Sequence, residues 1–307
     1  MAAKRIGFVV IIALQLVFFS GSLSASQLYF AEYNEFSIYS VDVDTAQVTT
    51  LYSDTESAPI GLYADSQYIY WANSGDGSVS RADLDGANVV DQLVAGIGDA
   101  YDVTASTEYV YSLISSKIYR SGLNGDNAAI LFDMLDENVI PYGISVYQDY
   151  IYVTAQGLTD EGYIYRSDLD GSNITQLIDL GATQPFGITA DSSGLYWTSY
   201  NTSVTGSGEI SYANFDGSGV LTLVDGLTQP VDVAIDEDSL YWSDFTDGTI
   251  QSADLNGSNV ETLLDGLNAP AGLSFSQVPE PSTYAVLVGI ACLAVCGVSR
   301  RTKSMRS

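Results

Sequence analysis

The sequence predicts an all-β fold, a six-bladed β-propeller made of four-stranded antiparallel blades, over residues 27–277. Three observations predict it: an aromatic pair recurs six times at intervals of 41 to 45 residues, a turn signal follows each pair, and one strand stands alone after the sixth unit. A repeat of about 40–45 residues that carries four short strands is typical of a propeller blade. Six repeats therefore predict six blades.

The aromatic pairs mark the second strand of each unit. All three tryptophans occupy this position, and the pairs or their relics are Tyr29-Phe30, Tyr70-Trp71, Tyr111-Ser112, Tyr152-Val153, Tyr196-Trp197 and Tyr241-Trp242. Successive side chains of a strand point to opposite faces. The two members of each pair are therefore predicted to reach different layers between blades.

Each unit also contains a turn with the pattern Asp-Leu-Asp-Gly or a close variant, as at 168–171 and 254–257. Asp and Asn before Gly tolerate positive φ and favour tight hairpins. A calcium-binding interpretation is the weaker one, because these turns lack the longer spacing of an EF-hand. The turns are therefore predicted to be hairpins.

The ends of the repeat region predict how the propeller closes. The first unit begins at its aromatic strand and lacks an inner strand, whereas an inner-type strand at 270–276 follows the sixth unit. Pairing of 270–276 with the strand at 27–31 completes blade one from the N- and C-terminal strands and leaves no open edge. A β-sandwich, the alternative, needs neither a 41-residue period nor a closing strand.

The repeat resembles a known family. Y-W-A-N at 70–73, Y-W-T-S at 196–199 and Y-W-S-D at 241–244, together with D-L-D-G-S-N at 168–173, are similar to the YWTD repeats of low-density lipoprotein receptor class B propellers. The resemblance spans about residues 26–277 and implies the same six-bladed fold. Only Asp244 fills the fourth motif position with aspartate, and the chain has no histidine. Acid-triggered ligand release is therefore not implied.

The two chain ends are predicted to be targeting segments rather than parts of the fold. Residues 1–26 have the pattern of a signal peptide, with Lys4 and Arg5 before an apolar run at 6–19 and small residues at 22–26. The apolar run is short for a membrane span, which requires about 20 residues. Removal of residues 1–26 is therefore expected.

Residues 278–307 form the second targeting segment. It contains, in order, a Pro-Glu-Pro motif, an apolar stretch and a basic tail: Pro279, Glu280, Pro281, residues 284–298, Arg300 and Arg301. This order resembles the PEP-CTERM sorting signal of Gram-negative bacteria that make extracellular polysaccharide. The resemblance implies a single C-terminal transmembrane helix, an exosortase-like sorting enzyme as partner, and a destination at the cell surface or in the extracellular matrix. A plain tail anchor is the alternative.

Composition excludes several classes of function. The 307 residues include 38 acidic and 10 basic side chains and no histidine, and residues 26–277 alone carry 37 acidic and four basic groups. Without histidine there is no Ser-His-Asp or Cys-His nucleophile pair and no His-ligated zinc. A formal charge of −28 would repel phosphate backbones, so nucleic acid is not an expected partner. Both cysteines lie in the C-terminal segment, so the exported domain is predicted to fold without a disulfide.

Binding usually occurs on loops held by a rigid scaffold, and the loops after the aromatic strands vary most in this chain. These loops are predicted to surround the mouth of the central channel. The candidate ligand-binding residues are Tyr33, Phe36, Tyr200, Asn201 and Phe245. Aromatic rings beside carboxylates and amides suit sugar rings, so an extracellular polysaccharide or a surface protein is the expected partner. Ordinary solvated loops are the alternative.

The inner strands share a small position, which is glycine in four units and aspartate in two: Gly61, Asp102, Gly143, Gly187, Asp232 and Gly272. By blade count, Asp102 and Asp232 lie on opposite sides of the channel. Two opposed carboxylates suit Ca²⁺, a metal class compatible with a chain that lacks histidine. Hydrogen bonds from backbone amides at the neck of each blade are the alternative role.

Arg81, Arg120 and Arg166 hold equivalent positions in the third strands of three blades. They lie blades apart and near the rim, so they are not expected to converge on one ligand. They are predicted to form surface ion pairs.

These features predict an exported, non-enzymatic binding or adhesion propeller at the cell surface or in the matrix, anchored in the inner membrane during sorting. Two alternatives stay open. A carboxylate-dependent glycosidase or lyase would use Asp102 and Asp232 as an acid pair with one raised pKa. A purely structural matrix spacer would have a polar channel mouth without a pocket.

Overall fold

The computed structural model describes residues 27–95, 98–159 and 161–276, which form six four-stranded antiparallel sheets around a central channel. The predicted all-β propeller and its blade count are confirmed for this part of the chain. The predicted signal peptide and the sorting signal, including Pro279, Glu280, Pro281, Arg300 and Arg301, lie outside the described residues. Within the described residues, no helix has the length and apolarity needed to cross a membrane.

Blade 1 combines both ends of the described chain, and blades 2 and 3 follow in sequence. From the channel outward, blade 1 consists of β24 (Pro270–Phe275), β1 (Gln27–Glu32), β2 (Ser37–Asp42) and β3 (Gln47–Ser53). Blade 2 consists of β4 (Pro59–Ala64), β5 (Tyr68–Asn73), β6 (Ser78–Asp83) and β7 (Val90–Val94). Blade 3 consists of β8 (Ala100–Ala105), β9 (Tyr109–Ile114), β10 (Lys117–Gly122) and β11 (Ala129–Asp133).

A short 3-10 helix, Met134–Glu137, connects blade 3 to blade 4. Blade 4 consists of β12 (Val139–Tyr147), β13 (Tyr150–Gly157), β14 (Gly162–Asp168) and β15 (Thr175–Gly181). Blade 5 consists of β16 (Gln184–Ala190), β17 (Leu195–Tyr200), β18 (Gly208–Ala213) and β19 (Leu221–Leu227). Blade 6 consists of β20 (Pro230–Ile235), β21 (Ser239–Asp244), β22 (Thr249–Asp254) and β23 (Glu261–Leu264).

The closing strand pairs as the sequence predicts. β24 runs antiparallel to β1, with Tyr29 opposite Ser274 and Phe30 opposite Leu273. Because the last strand is hydrogen-bonded to the first, blade 1 is assembled from both ends of the chain. The ring of blades is therefore closed by a sheet rather than by a loop contact.

The apolar core is divided into six clusters, one at each interface between neighbouring blades. Tyr70 packs between blades 2 and 3, whereas its chain neighbour Trp71 packs between blades 1 and 2. Tyr196 packs between blades 5 and 6, and Trp197 packs between blades 4 and 5. The alternation predicted for the aromatic pairs is confirmed, and all three tryptophans are at most 1% exposed.

The Asp-Leu-Asp-Gly turns are the predicted hairpins. In the turn between β14 and β15, Gly171 has a φ of 82°, in the left-handed region that glycine tolerates best. The Asp170 carboxylate accepts hydrogen bonds from the Ser172 hydroxyl at 2.6 Å and from the Ser172 backbone N–H at 2.9 Å. These bonds lower the pKa of Asp170 and shape the turn.

The three equivalent arginines connect blades, and the prediction of surface ion pairs is wrong for them. Each guanidinium lies 4.2 to 4.7 Å from the ring centroid of a tyrosine on the adjacent strand of its own blade: Arg81 on Tyr68, Arg120 on Tyr109 and Arg166 on Tyr150. Each also donates to a backbone carbonyl in a turn of the next blade, that of Leu123, Leu169 and Phe215 respectively. Ring and carbonyl together take the place of the expected carboxylate.

Candidate ligand-binding site at the channel mouth

A β-bulge occurs at the same place in every innermost strand. There the inner strand has one residue more than its partner strand, and the residues at the bulge are Ile60, Tyr101, Tyr142, Phe186, Val231 and Ala271. A proline directly precedes the bulge in five blades: Pro59, Pro141, Pro185, Pro230 and Pro270. Bulges redirect side chains, and they tolerate the missing N–H of proline. All six bulge residues line the mouth of the channel.

Hydroxyl groups of the preceding blade hold three of these bulges in place. The Thr198 hydroxyl donates to the carbonyl of Val231 at 3.2 Å, and the Ser243 hydroxyl donates to the carbonyl of Ala271 at 2.6 Å. Thr154 acts in the same way on the bulge of blade 5. Thr198 and Ser243 occupy the third position of Y-W-T-S and Y-W-S-D. The motif therefore positions the channel lining of the next blade.

The channel opens into a cavity of about 570 Å³. Six aromatic side chains line it: Tyr33, Tyr101, Tyr142, Phe186, Tyr200 and Phe245. Four of them form a continuous wall in the order Tyr101, Tyr142, Phe186 and Tyr200. The centroids of successive rings are 6.3, 5.1 and 4.3 Å apart. This wall offers a preformed apolar surface to a ligand.

Asp102 and Asp232 lie in the cavity lining, on the inner strands of the opposed blades 3 and 6. One oxygen of each carboxylate accepts the backbone N–H of the following residue, and the other accepts a backbone N–H of the next blade. The cross-blade bonds are from Ile144 to Asp102 at 2.8 Å and from Leu273 to Asp232 at 2.7 Å. Asp102 and Asp232 therefore accept backbone N–H groups at the blade neck, which is the alternative role that the sequence suggested for them.

The two carboxyl groups have perturbed pKa values. Protein surrounds them on most sides, while part of each side chain stays in contact with the channel. Burial raises the pKa of Asp232 to about 7. Burial and, after it, the nearby charge of Asp232 raise the pKa of Asp102 well above its usual range, although its backbone hydrogen bonds act in the opposite direction. The pair therefore retains a proton more readily than an exposed carboxylate does.

The predicted calcium site consists of these two carboxylates. Among the residues that the structure describes, no set of three or more acidic or cysteine side chains is arranged to hold a metal ion. Ca²⁺ takes six to eight oxygen ligands, so at this site it would depend on water and backbone carbonyls. Calcium at Asp102 and Asp232 stays a prediction.

Three of the five candidate ligand-binding residues line the cavity, namely Tyr33, Tyr200 and Phe245. Phe36 and Asn201 lie outside the lining. The Asn201 amide donates to the carbonyl of Ala182 at 3.3 Å and accepts the N–H of Ser203 at 2.9 Å, so it is engaged within its own loops. The binding role of all five residues stays a prediction.

Asp244, the aspartate of Y-W-S-D, positions one side of the cavity without lining it. Its side chain is 1% exposed, and its Oδ2 accepts the backbone N–H groups of Thr228 and Gln229 at 3.0 Å each. Gln229 in turn donates from Nε2 to the hydroxyl of Tyr200 at 2.8 Å. The motif aspartate therefore orients Tyr200 through the loop before β20.

Sequence reasoning missed Tyr101, Tyr142 and Phe186, which form most of the aromatic wall. Simple strand alternation does not reveal that a bulge turns a strand residue toward the channel. A signal was nevertheless present, because an aromatic residue directly precedes the shared Gly or Asp position in three consecutive units.

Two comparisons with known proteins agree with this architecture. The family model "Low-density lipoprotein receptor repeat class B" matches residues 238–273, which include the Y-W-S-D motif. The structure is also similar to a chain of the crystal structure of a nidogen/laminin complex, with a TM-score of 0.69 and 21% sequence identity. That alignment covers 82% of this chain and 98% of the other. The likeness shows a shared propeller fold, and the family match confirms the class B repeat in the sixth unit.

Proposed function

We propose that this protein is an exported, non-enzymatic propeller that binds a partner at the cell surface or in the extracellular matrix. The observation that carries the proposal is the cavity of about 570 Å³, lined by six aromatic side chains and mounted on a closed ring of blades. Small-ligand sites are usually preformed and mostly apolar, with a few polar groups. A purely structural spacer has no need of such a cavity.

A protein is the first partner to test. The similar fold is found in a complex of nidogen with laminin, which supports recognition of another protein by this chain as well. An extracellular polysaccharide is the second candidate, because sugar rings also stack on aromatic side chains.

Export and sorting complete the proposal. The order of features in residues 1–26 and 278–307 supports a signal peptide and a sorting signal. An exosortase-like enzyme would act near Pro279, Glu280 and Pro281 while the apolar segment and the basic Arg300 and Arg301 hold the chain in the inner membrane. The final location is then the surface or matrix of a Gram-negative bacterium.

A carboxylate-dependent glycosidase or lyase is the second candidate function. The raised pKa values of Asp102 and Asp232 favour it, since an acid catalyst must keep its proton near neutral pH. The hydrogen bonding is against it, because every oxygen of the two carboxylates already accepts a backbone N–H. Backbone N–H donors favour the ionised form of a carboxyl group, whereas a general acid must be protonated.

Binding to the surface of the native host tests the proposal. Fluorescently labelled full-length protein should bind washed cells saturably, and Phe186→Ala combined with Tyr200→Ala should weaken binding at least about tenfold, because buried aromatic anchors dominate binding energy. Val48→Ala, on the outer strand β3 and 43% exposed, is the control and should bind as the wild type does. Unchanged binding of the double variant would place the binding surface elsewhere.

A further inference from the structure

We propose that the cavity at the channel mouth takes a lysine side chain of the partner protein, with its ammonium group held between Asp102 and Asp232. This inference rests on the proposed function and names the group by which the partner is recognised.

The charge of the lining is the first argument. Asp99, Asp102 and Asp232 belong to the lining, whereas its described residues include no lysine or arginine. The whole region 26–277 carries 37 acidic and only four basic side chains. A cleft lined by charges of one sign concentrates the field, so a cationic group is drawn to this mouth.

The aromatic wall is the second argument. Lysine has an apolar stem of four methylene groups below its charge, and such stems pack along apolar surfaces. Tyr142, Phe186 and Tyr200 supply this surface, and an aromatic ring attracts a cation that lies over an uncovered face. The same chain already places cations over rings, as in Arg81 over Tyr68 at 4.2 Å.

The hydrogen bonding of the carboxylates favours an ammonium over a guanidinium. Each oxygen of Asp102 and Asp232 already accepts one backbone N–H. A guanidinium prefers two free oxygens of one carboxylate, whereas an ammonium directs three donors to separate acceptors. Each carboxylate oxygen can accept one further hydrogen bond. Two such carboxylates on opposed blades therefore offer an ammonium group separate acceptors on two sides.

The protonation of the pair predicts a pH dependence. At about pH 6 the pair holds at least one proton, because burial raises both pKa values. The ammonium favours the charged carboxylates, so binding must release this proton. Affinity should therefore rise as the pH rises from about 6 to 8, over which lysine itself stays charged.

Calorimetry with a matched pair of probes tests the inference on the full-length protein. The probes are Nα-acetyl-lysine methylamide and Nα-acetyl-norleucine methylamide, which share the stem and differ in the charged group. We expect the lysine probe to bind at least about tenfold more tightly at pH 8, and this preference to shrink at pH 6. Asp232→Asn should reduce the preference, whereas Asp238→Asn, an exposed charge change outside the lining, should leave it unchanged.

Each other outcome overturns the inference. Equal binding of the two probes would show an apolar anchor. Tighter binding of a third probe, Nα-acetyl-arginine methylamide, would show a guanidinium site. Displacement of the lysine probe by millimolar CaCl₂, but not by NaCl of equal ionic strength, would assign the carboxylates to calcium. If neither probe binds while labelled protein still binds cells through Phe186 and Tyr200, the proposed function stands and the lysine does not. The probe contrast in the wild type requires no variant, so misfolding of Asp232→Asn does not obscure the result.

Discussion

At the scale of single residues, the three tryptophans show how packing outweighs hydrogen bonding. The indole N–H of Trp242 donates to Gln251 Oε1 at 3.0 Å, whereas the buried N–H groups of Trp71 and Trp197 have no partner. A serine lies directly opposite each of those two rings on the neighbouring strand, where blade 6 has Gln251. The apolar contacts between blades therefore compensate for two unpaired donors.

Truncation of one ring tests the packing. Trp197→Ala should lower the free energy of unfolding by about 3–5 kcal/mol, because it empties the space between blades 4 and 5. Gln251→Ala should cost about 1–3 kcal/mol by leaving the Trp242 N–H unpaired. Urea unfolding measures both, and Val260→Ala, which is 47% exposed, is the control. An unchanged free energy of unfolding for Trp197→Ala would mean that the Trp197 ring is exposed rather than packed between blades.

The pKa of Asp232 predicts a pH dependence of stability. Its folded pKa of about 7 lies above the unfolded value of about 3.9, so the folded state binds more protons between these values. The free energy of unfolding therefore falls as the pH rises from about 5 to 7. Asp232→Asn should reduce this decline in urea unfolding at several pH values, and Asp238→Asn should not. Parallel curves for the wild type and Asp232→Asn would contradict the raised pKa.

At the scale of strands and turns, the period of the sequence predicted most of the fold. The aromatic pairs, the hairpin turns and the closing strand at 270–276 follow from local patterns of alternation and turn residues, which the structure repeats in each blade. Contacts between blades were harder to foresee. The Arg120 guanidinium donates a hydrogen bond to the carbonyl of Leu169, in a turn of the next blade. No local sequence pattern indicates this partner.

A substitution of Arg120 tests whether this side chain connects two blades through a carbonyl or forms an ion pair. Arg120→Met keeps the apolar stem but removes the bond to the Leu169 carbonyl and the stacking on Tyr109. We expect a loss of about 1–2 kcal/mol, measured by thermal or urea unfolding. The loss should be similar at low and high salt, because the acceptor is a carbonyl. A loss that disappears in about 1 M NaCl would identify an ion pair instead.

The candidate site was only partly predictable for the same reason. Tyr33 and Phe245 lie on loops and Tyr200 ends β17, at points where the strand pattern stops, and sequence reasoning selected all three. Tyr142 and Phe186 lie within strands, and only the bulges turn them into the channel. The opposition of Asp102 and Asp232 followed from counting repeats, and backbone N–H bonds were the alternative role given to them. The donors from the next blade, Ile144 and Leu273, have no local signal because they depend on the distance between blades.

At the scale of the whole molecule, closure by the last strand makes the ring dependent on both of its ends. A chain that stops before Pro270 leaves β1 without its inner partner and should lose cooperative unfolding. A chain of residues 27–276 should unfold at the same temperature as the full-length protein, because it retains every described strand. Circular dichroism melting compares the chain that stops before Pro270 with the chain of residues 27–276. Equal melting temperatures of these two chains would contradict closure by β24.

The proposed sorting predicts the mass of the mature protein. Material from the surface of the native host should begin near residue 27 and end near residues 279–282. Intact-mass measurement decides this. A C-terminal tail that still contains Arg306 would favour a plain tail anchor.

The central claim is that the partner binds at the channel mouth, and site-specific photo-crosslinking tests it most directly. A photoreactive phenylalanine analogue is placed at Tyr33, in the cavity lining, or at Val48, on the outer strand of the same blade. Both proteins are illuminated on cells of the native host. The account predicts a discrete crosslinked product from position 33 that free Nα-acetyl-lysine methylamide suppresses, and none from position 48. Equal products from both positions, or a product from position 48 alone, would contradict it.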